Sequence, residues 1–131
     1  MSNEVINSNN NLVSIIETSG ITDLIKPLVK EIYLFDTYIA GTTFIEDKEL
    51  FKSLKEDDCL ILRREEENKF DNKAILILNQ KQEKLGYIPR KDNAIFSRLL
   101  DAGKLLAATV KEINLKGDFY TIKINIYLVD F

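Results

Sequence analysis

The stretch from Thr121 to Leu128 limits the fold more than any other. Ile122, Ile124, Ile126 and Leu128 alternate there with Thr121, Lys123, Asn125 and Tyr127. Side chains along a strand point to opposite faces at every second residue, so this is a strand with one buried and one wet face. Its partner precedes it. Residues 105–115 and 119–129 read as a hairpin turned at Lys116-Gly117-Asp118. Further upstream, Ile32-Tyr33-Leu34-Phe35 runs into Tyr38-Ile39-Ala40-Gly41, and residues 58–64, 74–78 and 84–88 are short runs rich in branched and aromatic residues. Each reads as a strand, the last closed by Pro89. Two helices interrupt them. Leu50, Phe51 and Leu54 have helical spacing within 46–54. Ile95, Phe96, Leu99 and Leu100 share a face of 93–102, and Gly103 stands at the helix stop. Six short strands with small inserted helices predict a mainly β fold, a compact barrel or rolled sheet.

The N-terminal region follows other rules. Residues 1–11 are polar and are expected to form a frayed tail. Leu12, Val13, Ile15 and Ile16, then Ile21, Leu24, Ile25 and Leu28, have helical spacing broken near Ser19-Gly20. They predict a short helical extension over 12–30, ahead of a single domain over 31–131. No basic segment followed by an apolar one marks a signal peptide, and no apolar run is long enough to span a bilayer. With one cysteine, Cys59, the chain is expected to be cytoplasmic.

Composition bears most heavily on chemistry. The sequence contains no histidine, which removes the commonest general base and metal ligand and every nucleophile that depends on one. One cysteine without histidine cannot build a structural zinc site. Ala102-Gly103-Lys104 is followed by leucine, so it is not a phosphate-binding loop. Glu65, Glu66 and Glu67 are consecutive, point in divergent directions, and read as a solvated surface run. A binding module with no metal, no cofactor and no catalytic residue is expected, not an enzyme.

The net charge of −3 argues against an anionic partner, but its distribution does not. Lys81, Lys84, Arg90, Lys91, Arg98 and Lys104 face only Glu83, Asp92 and Asp101 within 81–104. That stretch would meet an anion first, unless it is simply a solvated strand and helix. Between two apolar strands, Asn68, Phe70 and Asp71 stand within four residues. Asn68 and Asp71 either fold back on their own backbone in turns or contact a ligand. Phe70 either plugs the barrel or offers a ring. Tyr38 supplies a second ring, and Tyr87, Arg90 and Lys91 lie in the basic stretch. Rings for bases, cations for phosphate and a carboxylate for a sugar hydroxyl are what a single-stranded nucleic acid requires.

Arg64, Asn68, Phe70, Asp71, Ala74, then Gly86-Tyr87-Ile88-Pro89-Arg90, then a helix ending Asp101-Ala102-Gly103, resemble in order and spacing the HIRAN family. Its members stand alone in bacteria and are fused to helicases in eukaryotes. The resemblance spans about 100 residues and implies a six-stranded barrel related to OB and SH3-like folds. It also implies recognition of single-stranded DNA, particularly a free 3′-hydroxyl end, beside a larger helicase or nuclease in DNA repair. By the resemblance, Tyr38 and Phe70 stack on bases, Asp71 accepts from the terminal hydroxyl, Asn68 makes a polar contact beside it, and Arg90 meets phosphate. Tyr120 matches a further aromatic that packs on the terminal bases. Lys69 replaces a proline, Phe70 a tyrosine, and Thr37 an arginine. Binding is therefore expected to be weak and salt-sensitive, near the non-specific range of about 10⁻⁴–10⁻⁶ M. The alternative is a protein-interaction or regulatory domain that keeps this fold without the nucleic-acid site.

Overall fold

The computed structural model describes residues 30–130. The tail expected over 1–11 and the helical extension expected over 12–30 lie outside them, except Lys30, which opens the first strand. Six strands follow in chain order: β1 (Lys30–Tyr38), β2 (Cys59–Arg64), β3 (Ile75–Leu78), β4 (Lys84–Tyr87), β5 (Leu105–Lys116) and β6 (Phe119–Asp130). Among the described residues two helices, α1 (Glu49–Lys52) and α2 (Arg90–Asp101), and a 3-10 turn, Thr42–Phe44, accompany them. The sheet order is β1-β6-β5-β2-β3-β4, with every neighbouring pair antiparallel.

The two outer strands of that order meet. Ala40, just beyond β1, donates its N–H to the Tyr87 carbonyl at 2.8 Å and accepts from the Tyr87 N–H at 2.9 Å. This bridge curls the sheet into the barrel that the strand count predicts. The barrel interior carries the period of two in β2, β3, β5 and β6. Leu60 and Leu62, Ile75 and Ile77, Leu106, Ala108 and Val110, and Ile122, Ile124 and Ile126 all belong to one buried cluster. Full burial of such side chains is worth roughly 1.5–3 kcal/mol each, so this cluster dominates the stability of the barrel. The alternation in β6 holds through Ile126. Leu128 is then half-buried, and Val129 on the opposite face is buried instead.

Both helices close the core. Phe51 of α1 and Phe96 of α2 are buried in the same cluster. The helix expected over 46–54 is reduced to four residues, although Phe51 and Leu54 are buried as their spacing requires. α2 starts at Arg90, directly after Pro89 and three residues before the apolar pattern begins, and its exposed first-turn cations give no apolar signal. Its inward stripe is Asn93, Phe96, Ser97 and Leu100, at i, i+3, i+4 and i+7. Ile95, expected on that face, is exposed. The helix ends as predicted. Gly103, at φ +86°, donates to the Leu100 carbonyl, and Lys104 donates to the Leu99 carbonyl, the double bond of a Schellman motif. Among the described residues no helix is long and apolar enough to cross a membrane.

Arg64 braces this arrangement. Its guanidinium grips Asp101 through Nε–Oδ1 at 2.8 Å and Nη2–Oδ2 at 3.2 Å, and also donates to the carbonyls of Ala74 and Asn72. One side chain thus joins β2, the loop before β3 and the last turn of α2.

Gly86 is the residue the barrel closure needs most. A methyl group there would collide with the carbonyl oxygen of Ala40 and with Cγ2 of Ile39. The backbone of β4 can approach the end of β1 only without a side chain at this position. Gly86→Ala is therefore expected to lose at least about 2 kcal/mol of stability, read as a lower midpoint in chemical denaturation. A loss under about 0.5 kcal/mol, the scale of a neutral surface change, would show that the closure tolerates a side chain.

Candidate functional site

The loop between β2 and β3 is held by its own side chains. Asn68 Oδ1 accepts the backbone N–H groups of Phe70 at 2.8 Å and Asp71 at 3.0 Å. Its Nδ2 donates to Glu65 Oε1 at 2.7 Å, and the same oxygen accepts from the Tyr87 hydroxyl at 2.7 Å. Asn68 thus fills the turn role open to it, and it also lines both hollows described below. Glu65 departs from the surface reading of its acidic run. It is half-buried, and the Asn68 amide and Tyr87 hydroxyl hold its carboxyl below the usual carboxylate range. Glu66 and Glu67 are exposed as expected.

Asp71 is fixed from three sides. Oδ1 accepts the Lys73 backbone N–H at 3.0 Å, and Oδ2 accepts Asn93 Nδ2 at 2.7 Å and lies 3.6 Å from Arg90 Nε. The Lys73 amide above all, then Asn93 and Arg90, hold its carboxyl below the usual range against a partial desolvation cost. The carboxylate is thus ionised, oriented, and still one-fifth exposed. Arg90 also donates to the Phe70 carbonyl at 2.6 Å, so the first turn of α2 clasps the loop. Asn93 was not singled out from sequence. Its signal is a place on the inward stripe of α2, where a buried amide needs a partner.

Phe70 does not plug the barrel. It is 87% exposed, and Phe44, on the 3-10 turn, is 86% exposed. Both rings line one groove of about 720 Å³, with Ala40, Ala74 and Ile88 among its apolar walls and Lys84 and Arg90 also lining it. A more open hollow of about 530 Å³, lined by Lys69 and Lys73, adjoins it and shares Phe70, Asp71 and Arg90. Leaving a phenylalanine in water forgoes roughly 1.5–3 kcal/mol of burial. Two in one groove mark a surface that receives something.

Of the eight residues read from the sequence, the structure brings together Asn68, Phe70, Asp71, Tyr87 and Arg90. Tyr38 is half exposed on β1 opposite Lys123 and lines neither hollow. Lys91 also lies outside, with its ammonium 3.5 Å from Asp92. The Tyr120 ring stacks on Phe51, centroids 5.4 Å apart, and is packed against the core instead of the groove. Thr37, in the place of an arginine, is buried and donates to Asp92 Oδ2 at 2.7 Å. The cations of the groove, Lys84 and Arg90, both come from the basic stretch. Lys69 and Lys73 of the loop line the adjoining hollow. Burial pushes the Cys59 thiol up, which makes it a poor nucleophile. Among the described residues no cluster of acidic or cysteine side chains is arranged to hold a metal ion.

Two solved structures share this architecture. A protein from Lactobacillus plantarum superposes with a TM-score of 0.73 at 22% identity, over 79% of this chain and 99% of that one. The HIRAN domain of human HLTF superposes with a TM-score of 0.62 at 13% identity, over 76% of this chain and 79% of that one. At such identities the likeness is one of fold. No curated protein matches the sequence. The HIRAN domain family model matches residues 32–129, a span that holds the whole barrel except its terminal residues, together with the loop, the groove and α2. The chain belongs to the HIRAN domain family.

Proposed function

We propose that this HIRAN domain binds single-stranded DNA and prefers a free 3′-hydroxyl end, which it presents to a larger helicase or nuclease in DNA repair. The observation that carries the reading is the Asp71 carboxylate, ionised and fixed at the groove beside the exposed Phe70 ring and the Arg90 guanidinium. A strand end offers a flat base, a phosphate and a sugar hydroxyl, and these three groups meet each of those partners. An ionised carboxylate only accepts hydrogen bonds, so it suits a hydroxyl and repels a phosphate. The net charge of −3, with Glu66 and Glu67 exposed near the loop, favours the protein-interaction reading instead. It also sets the affinity low, near about 10⁻⁴–10⁻⁶ M.

The end preference is open to direct measurement with two oligonucleotides that differ only at the 3′ terminus. Two like charges about 4 Å apart repel by about 4 kcal/mol at an effective dielectric of about 20. Stacking returns only about 1–3 kcal/mol per base. The 3′-hydroxyl strand is therefore expected to bind better than its 3′-phosphorylated twin, and Asp71→Asn should abolish the difference. A phosphate monoester gains its second charge near pH ~6, so the discrimination should grow between about pH 5 and 7.5. Asp71, whose carboxyl is held low, stays charged through that window. Its acceptor strength is lost only as the pH falls through its depressed pKa, below the ordinary carboxylate value of about 4. Equal binding of both strands by the unmodified protein would remove end recognition.

Salt provides an independent measure. Each phosphate neutralised in a single strand contributes a slope of about −0.7 to log K against log salt. With two of the groove cations engaged, the slope is expected near about −1.4. A slope of zero would mean that Lys84 and Arg90 meet no phosphate.

A further inference from the structure

We infer that the apolar N-terminal segment, residues 12–28, packs across the outer face of the sheet formed by β1, β6, β5 and β2 and covers it. The inference does not depend on the single-strand reading above. It starts from a face that ought to be wet. Leu106, Ala108 and Val110 point into the barrel, so Leu105, Ala107 and Thr109 point away from it. The register sets Val129 beside Leu105, Tyr127 beside Ala107 and Cys59 beside Thr109 on that same side. A sheet face open to water carries exposed polar residues. Here Ala107, Thr109 and Val129 are only 2%, 4% and 5% exposed, and Cys59, Ile61 and Tyr127 are half-buried. Among the described residues no helix covers them. α2 packs from the interior side, where Phe96 meets Phe35 and Asp92 accepts from Thr37, and Phe51 of α1 belongs to the core. Phe35 and Thr37 pair with Ile126 and Ile124, which are inward positions.

The dry region lies at one end of the face. Lys111, two residues beyond Thr109, is exposed. The dry end is the one at which the chain enters the barrel, since Lys30 pairs with Asp130 and Glu31 with Val129. Residues 12–28 stop just short of that point. Within them Ile21, Leu24, Ile25 and Leu28 stand at i, i+3, i+4 and i+7, with Asp23 and Lys26 off the stripe. At 1.5 Å per residue such a segment reaches about 25 Å as helix. Strands about 4.8 Å apart put β2 roughly 14 Å from β1, so the segment can cross all four. The Cys59 thiol on β2, pushed up chiefly by burial, reports dryness at that far side. A segment tethered beside the face acts at an effective concentration on the order of millimolar, which favours it over a separate chain.

Cys59 is the single cysteine of the chain, so its alkylation by iodoacetamide reads the cover directly. The rate is compared in the full-length protein, in the double variant Ile21→Ser with Ile25→Ser, and in Asp23→Asn. The double variant should react at least about 10-fold faster than the unmodified protein, because local opening exposes the thiol. Asp23→Asn, off the apolar stripe, should stay within about 2-fold. A second measurement needs no weakened packing. A spin label on Asp23→Cys, in a Cys59→Ser chain, should broaden the amide signals of Ala107, Tyr127 and Val129 more than that of Asp71 in the groove loop. Absence of broadening at those three residues overturns the inference. It is equally overturned if Cys59 of the unmodified protein reacts as fast as a free thiol, which leaves the face to a partner protein. Protection that disappears on dilution, with a dimer seen by sedimentation, would make a second copy of the chain the cover instead.

Discussion

The pair of backbone hydrogen bonds between Ala40 and Tyr87 is the constraint on which the rest of this molecule depends. Without it the six strands form an open sheet, and the loop before β3 has no counterpart across the groove. The bridge places Gly41 and the Thr42–Phe44 turn beside Tyr87. From Tyr87 a chain of contacts runs outward: its hydroxyl to Glu65, Glu65 to the Asn68 amide, and Asn68 to the backbone of Phe70 and Asp71. Closure of the barrel and positioning of the site are therefore one structural event. A chain of hydrogen bonds of this kind is stronger in a partly dehydrated setting than its members would be in water.

Lys69 stands where a proline would stiffen the loop, and the structure shows what replaces that stiffness. Asn68 accepts two amides, Asp71 accepts the Lys73 amide, and Arg64 and Arg90 donate to the Asn72, Ala74 and Phe70 carbonyls. Restraint that a pyrrolidine ring supplies through one dihedral is here distributed over side-chain hydrogen bonds. The lysine at the same time adds a cation to the hollow beside Asp71.

Much of the fold was legible because strand and helix periods are local. The alternation of Ile122, Ile124 and Ile126 announced the buried face of β6, and Gly103 announced the end of α2. The start of α2 was not legible, since Arg90 and Lys91 carry no apolar signal. In the site, Asp71 and Arg90 were found by residue type and do face each other. Phe44 was missed because an exposed ring in a three-residue turn has no periodic signature. The packing of Tyr120 was not legible because its partner Phe51 is far away in sequence, on a helix of only four residues. Glu65 was hidden by its neighbours. In a run of three glutamates, only the path of the backbone out of β2 decides which one turns inward.

The Arg64 brace has an evolutionary corollary. A guanidinium has five donors and no acceptor, and Arg64 directs them both to the Asp101 carboxylate and to two main-chain carbonyls. An exchange of the two residues would preserve the ion pair on paper and still fail. An aspartate in place of Arg64 would face the carbonyls of Asn72 and Ala74 with a second set of acceptors. The pair is polar in direction as well as in charge. Drift at the end of α2 can therefore be absorbed by any acceptor that reaches the guanidinium, whereas drift at Arg64 has no neutral path. Descendants of this sequence are expected to vary at 101 well before they vary at 64.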